Sequence, residues 1–117
     1  MFRWNAPGVV VVGIALLGCG ADDKQCTLEL RWGLSVSVVD PQNNLVCDVT
    51  VRIKDGAYEE AGVDHGTCVF HGAAERPGTY DVSALRDDVV LAEKTQIVVP
   101  AGECHVQGQN VTLVVAE

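Results

Sequence analysis

Positive charge is scarce in this 117-residue chain: 8 lysines and arginines stand against 16 aspartates and glutamates, a formal net charge of −8. With no basic patch it cannot bind nucleic acid by neutralising phosphates, nor hold an anionic bilayer by charge. Aromatics are few (2 Trp, 2 Tyr, 2 Phe), which leaves only Trp32, Tyr58, Phe70 and Tyr80 to build a stacking platform beyond the N-terminal stretch. No apolar run approaches the roughly 20 residues that cross a bilayer as a helix. Helical periodicity is missing, and with it the helix-borne sites: there is no His-x-x-Glu zinc motif, since His71 to Glu75 is one residue too long. Ser35, Ser37 and Ser83 fall on strands, and none is expected on a strand-to-helix elbow beside a histidine. Catalytic residues are therefore not expected.

What the chain has instead is a marked N-terminus. Arg3 precedes the apolar run 9–19, which ends Leu16-Leu17-Gly18-Cys19. That order resembles the lipobox of bacterial lipoprotein signal peptides, in which small Gly18 lets a peptidase reach the bond before Cys19. The resemblance implies a signal peptide over 1–18 and a lipidated Cys19. Cleavage would remove 18 of the 117 residues and leave 99, with 7 cationic side chains against 16 acidic and a formal charge of −9. Such a chain is one domain. Its link to the membrane would be lipid on Cys19, and stable anchoring takes more than one acyl chain. Gly20, not Asp, follows Cys19, which in the enteric sorting rule permits export to the outer membrane. Residues 19–27 read as a short polar tether.

Beyond Cys19, four cysteines remain: Cys26, Cys47, Cys68 and Cys104. An even count in a small exported domain implies two disulfides, with three connectivities possible. The remainder, 28–117, alternates with period two. Leu28, Leu30, Trp32, Leu34, Val36 and Val38 share one face of a first strand; Leu45, Cys47, Val49, Val51 and Ile53 share one face of a second. Weaker or shorter strands are expected over 57–63, 68–71, 79–85, 89–99 and 107–115, with Tyr80, Val82, Val111, Leu113 and Val115 inward. Turns are marked by Asp40-Pro41, Asp55-Gly56, Asp64-His65-Gly66, Arg86-Asp87-Asp88 and Pro100-Ala101-Gly102. Seven short strands without a helix predict an all-β sandwich.

The order of Val46-Cys47-Asp48-Val49, Lys54-Asp55-Gly56, Cys68-Val69-Phe70-His71-Gly72, Gly78-Thr79-Tyr80 and Glu103-Cys104-His105-Val106 resembles small lipoproteins with a carboxypeptidase regulatory-like domain. This resemblance covers about residues 28–116 and implies a seven-stranded transthyretin-like (prealbumin-like) sandwich and an accessory, non-catalytic role. Arg86-Asp87-Asp88 departs from the turn that family members often carry there. With strand direction alternating, Cys26 and Cys104 precede strands that run the same way, whereas Cys47 and Cys68 open strands that run the other way. The family's topology also sets the first and last strands side by side and parallel. Cys26–Cys104 and Cys47–Cys68 are the pairing this implies. Cys26–Cys47 would have to close about 40 Å of strand.

Sharper chemistries compete poorly. Cys68, His71, Cys104 and His105 carry the residue types of a zinc site, but exported thiols oxidise, and the two cysteines belong to opposite ends. Glu75 and Asp81 read as solvated carboxylates, with Glu75 beside Arg76, rather than a glycosidase pair. Asn110-Val111-Thr112 matches a glycosylation sequon that a lipobox-bearing chain has no use for. His65 reads as solvated, His105 as a structural strand entry, Trp32 and Tyr80 as core. The expectation is a lipid-anchored structural or protein-docking module of the bacterial cell envelope, with no cofactor and no metal; 57–63 and 68–71 are candidate docking edges by strand addition, with blunted edges that have no partner the preferred reading. The alternative is a small-ligand or glycan-binding lipoprotein, which an outward aromatic cluster would favour. A hydrolase like the transthyretin-related enzymes of purine breakdown is disfavoured, because their Tyr-Arg-Gly-Ser type ending is replaced by Thr112-Leu113-Val114-Val115-Ala116-Glu117.

Overall fold

A computed structural model describes Cys26 and residues 28–116. The expected signal peptide and Cys19 lie outside the described residues. Eight strands follow one another: β1 (Trp32–Val39), β2 (Thr50–Asp55), β3 (Tyr58–Ala61), β4 (Val63–Asp64), β5 (Val69–Ala74), β6 (Gly78–Arg86), β7 (Val89–Val99) and β8 (Gln109–Val114). They form two four-stranded sheets, β4-β5-β1-β8 and β3-β2-β6-β7. Their inner faces meet in one core, so the molecule is a β-sandwich. Leu34, Val36 and Val38 of β1, Phe70 of β5, and Val111 and Leu113 of β8 pack against Val51 and Ile53 of β2, Tyr80, Val82 and Ala84 of β6, and Val99 of β7. β1 and β8 run parallel, from Leu34 opposite Gln109 to Val39 opposite Val114. The other pairings are antiparallel.

The eighth strand arises because the weak stretch 57–63 divides. Tyr58–Ala61 stays on β2, and the chain crosses at Gly62 so that Val63 and Asp64 pair with His71 and Phe70. Gly62 donates to the Val51 carbonyl at 2.8 Å, and a Cβ there would lie 3.0 Å from that of Phe70. The 68–71 stretch, read as an edge, is part of β5 and sits between β4 and β1.

Two strands start later than alternation suggests. β1 begins at Trp32, not Leu28, and Leu28 and Leu30 are exposed. Residues 28–31 have no ladder to join, since β5 ends at Ala74 opposite Trp32 and β8 joins only at Leu34. β2 begins at Thr50, not Leu45. Val46 is buried instead and donates to the Val38 carbonyl at 2.8 Å, while Leu45 is exposed.

Trp32 also departs from its expected place. Parity assigned it to the core, yet its indole lies outside, against His71 and His65. Alternation breaks on both paired strands at this point. Gly33 and Leu34 are both buried, as are Gly72 and Ala73, and Ala73 takes a left-handed φ of 53°. A Cβ on Gly33 would come within 2.6 Å of the Ala73 carbonyl oxygen, so only glycine permits this approach. After the break Leu34, Val36 and Val38 keep the expected inward parity, with Val39 buried as well at the strand's end; Trp32, before it, flips outward.

Turn chemistry behaves as read. Asp40 Oδ1 accepts the Gln42 and Asn44 amides, both at 2.9 Å, with Asn43 left-handed at φ 68°. Asp87 and Asp88 form a two-residue hairpin loop with φ of 52° and 65°, the pair of positive angles a type I′ turn demands.

Candidate functional site

Two disulfides close the ends of the sandwich. Cys26–Cys104 spans 78 residues with a Cα separation of 5.0 Å, and Cys47–Cys68 spans 21 with 5.4 Å. The first lies at the base, where β1, β6 and β8 begin. The second lies at the opposite end, where Cys47 leads into β2 and Cys68 into β5. Both pairings are those expected, and with the cysteines so consumed the Cys68/His71/Cys104/His105 zinc set is not assembled. Among the described residues no three His, Cys, Asp or Glu side chains come together as a metal group.

Polar networks organise the base. Glu75, left-handed at φ 50°, sits in the link between β5 and β6. Its carboxylate accepts the Arg31 amide at 2.9 Å and the Val106 amide at 3.2 Å, and pairs with His105 Nδ1. One side chain thereby ties the entry to β1, the β5–β6 link and the β7–β8 link. The His105 hydrogen bond, with those amides, holds the Glu75 carboxyl below the ordinary glutamate range. Arg76, its neighbour in sequence, turns the other way, toward Asp55, Tyr58 and Tyr80. Its guanidinium lies 3.7 Å from the Tyr58 ring centre and donates to Asp55 at 3.0 Å and Tyr80 Oη at 2.9 Å. Tyr80 is fully buried, as expected, and its hydroxyl donates to the Arg76 carbonyl at 2.6 Å. Tyr58 donates to Glu60, whose carboxylate also accepts the Ala73 amide at 2.8 Å. That hydrogen bond, with partial burial, pushes the Tyr58 hydroxyl up to about 12. Asp81 accepts from the Gln96 amide at 3.3 Å across β6 and β7, so Glu75 and Asp81 serve separate parts of the fold.

The outer face of the β4-β5-β1-β8 sheet carries a different group. The Trp32 indole stacks on His71 with centroids 5.4 Å apart and planes 27° apart. His65 lies 5.7 Å from Trp32 and 5.9 Å from His71. Ser35 Oγ is 3.1 Å from His71 Nδ1, because the two residues face each other in the β1–β5 ladder. His65 is placed by Asp64, whose Oδ1 gathers the amides of Gly66, Thr67 and Cys68 at 2.8, 3.0 and 2.8 Å. These bonds, led by Gly66, hold the Asp64 carboxyl below the ordinary aspartate range. Ser35 thus has a histidine beside it, though on a strand and not on a strand-to-helix elbow. Among the described residues no carboxylate hydrogen-bonds His71, and the Ser35 backbone lies within a sheet ladder, so a third triad member and an oxyanion donor are both lacking.

The ring cluster was illegible because its key residue was assigned to the wrong face. The break at Gly33 is the signal that would have exposed it. Phe70 and Tyr80, candidates for an outward aromatic platform, are core residues, and Tyr58 is capped by Arg76. A surface depression of about 430 Å³ runs beside Thr50, Arg52, Glu59 and Glu60, where Arg52 and Glu59 pair across β2 and β3 at 3.4 Å. Comparison with protein-family models, with curated proteins and with solved structures gives no match.

Proposed function

We propose that the chain is a lipid-anchored, exported module of a bacterial cell envelope, non-catalytic, which acts as a rigid structural or protein-docking unit. The observation that carries this is the pair of disulfides at opposite ends of a small acidic sandwich, since such bridges persist in oxidising compartments. The Leu16-Leu17-Gly18-Cys19 pattern supplies the anchor, with outer-membrane sorting allowed by Gly20. Parallel pairing of the first and last strands supports the transthyretin-like topology of carboxypeptidase regulatory-like domains, with β4 as a two-residue addition to the family's seven strands. The base networks serve stability: their carboxylates are engaged with backbone amides, an imidazole and a guanidinium rather than held open toward a cleft. The free edge of β3 is the docking edge this reading retains.

Cell fractionation tests the anchor. The natural chain should sediment with membranes and resist high salt, and Cys19→Ala should move it to the soluble fraction. A natural chain found soluble, or a Cys19→Ala chain still sedimenting, overturns the proposal. A glycan-binding role is favoured by one observation, the outward Trp32; retention on an immobilised neutral glycan that disappears in Trp32→Ala would establish it instead.

A further inference from the structure

The geometry points to a divalent transition-metal site on the outer sheet face, built from His65 and His71, with copper(II) its preferred ion. Metal–nitrogen bonds of about 2.0–2.1 Å put two imidazole centroids on one ion about 4.5 Å apart as adjacent ligands and about 6.4 Å apart as opposed ones, and the 5.9 Å between those of His65 and His71 lies inside that span. His71 is already oriented. Ser35 Oγ and His71 Nδ1 are 3.1 Å apart; in the tautomer whose Nδ1–H donates to Ser35, the lone pair of Nε2 is left for a metal, the arrangement by which outer partners usually fix a ligating histidine. His65 makes no hydrogen bond to a described side chain, and the Asp64 turn holds its backbone in place.

The surroundings favour a cation. Ser35, Ser37, Val69, His71, Asn110 and Thr112 lie across from one another on this face in the β1, β5 and β8 ladders, with no lysine or arginine among them. The chain as a whole is acidic, at −8, which raises the local concentration of cations. Two imidazoles leave the remaining positions to water. A nitrogen pair completed by oxygen suits copper(II), and the Irving–Williams order places nickel(II) and zinc(II) below it. This site is independent of the anchoring proposal, since it uses only residues of the folded domain.

Trp32 reports on it directly. The full chain carrying Cys19→Ser, which removes the one cysteine outside the two bridges, would be titrated with copper(II), nickel(II) and zinc(II). Copper(II) should quench part of the tryptophan emission with a saturating stoichiometry of one. That part should vanish in Trp32→Phe, which leaves Trp4 as the only other tryptophan. His65→Ala and His71→Ala should each weaken binding at least tenfold, Ser35→Ala by about tenfold, and His105→Ala should leave it unchanged. Nickel(II) and zinc(II) should both bind more weakly than copper(II). Non-saturating quenching, or copper affinity unaltered in the folded His65→Ala/His71→Ala double variant, overturns the site.

Discussion

Glu75 and Gly33 show how much a single residue decides here. Glu75 is depressed in the folded state by His105 and by backbone amides, so its contribution is present above the unfolded glutamate value and is lost as pH falls through the folded one. The melting-temperature gap between the natural chain and Glu75→Gln should therefore be wide at pH 6–7 and should close as pH falls below the ordinary glutamate value of about 4.3. A gap independent of pH would mean the carboxylate charge does not matter. Gly33→Ala forces a Cβ onto the Ala73 carbonyl and to 3.0 Å from both Ala73 Cβ and Val99 Cγ1. It should cost about 1–3 kcal/mol in denaturant unfolding, and Trp32 should report the disturbance. Residue chemistry also explains the parity error at Trp32: alternation assumes continuous extended backbone, and the left-handed Ala73 carries no sequence signature, alanine being an unusual occupant of that region.

At the scale of elements, long regular strands were legible and their ends were not. The Val89–Val99 strand agrees with its expected span, and the inward face of β8 follows from strict alternation, whereas on β6 Val82 through Leu85 are all buried beside the irregular pairing at Ala84 and Leu85. The starts of β1 and β2 were misread because an alternating pattern cannot say where a partner strand stops. Leu28 and Leu30 continue the pattern into a region with nothing to pair with. The β6–β7 hairpin holds a mild conflict, since two aspartates adopt left-handed angles that L-residues enter at a cost. Replacing Asp87-Asp88 by Asn-Gly should raise the urea midpoint, equivalent to about 1 kcal/mol, with the slope of unfolding unchanged. A lower midpoint would mean the aspartate carboxylates make contacts that outweigh the backbone strain.

For the molecule as a whole, the sandwich relies on its two bridges. In the chain-entropy description a 21-residue loop contributes about 3 kcal/mol and a 78-residue loop about 4.5 kcal/mol, a large share of the stability usual for a domain of this size. Removing Cys26–Cys104 as a paired Cys→Ser variant should lower stability by more than removing Cys47–Cys68, with the fold retained in either. The reverse order would mean that native contacts around Cys68, which is buried, outweigh the difference in loop-closure entropy. Both pairings followed from strand direction and topology once the family resemblance was in hand; the outer ring cluster did not, because it depends on one local break and on three elements meeting.

The most direct measurement is intact and peptide-level mass spectrometry of the protein from its native membrane, alkylated without prior reduction. A chain beginning at Cys19 with acyl additions, no alkylated thiols, and linked Cys26–Cys104 and Cys47–Cys68 peptides is the expected result. An unlipidated chain with alkylated cysteines at 26, 47, 68 and 104 would contradict it, since that is the state of a protein held in a reducing compartment.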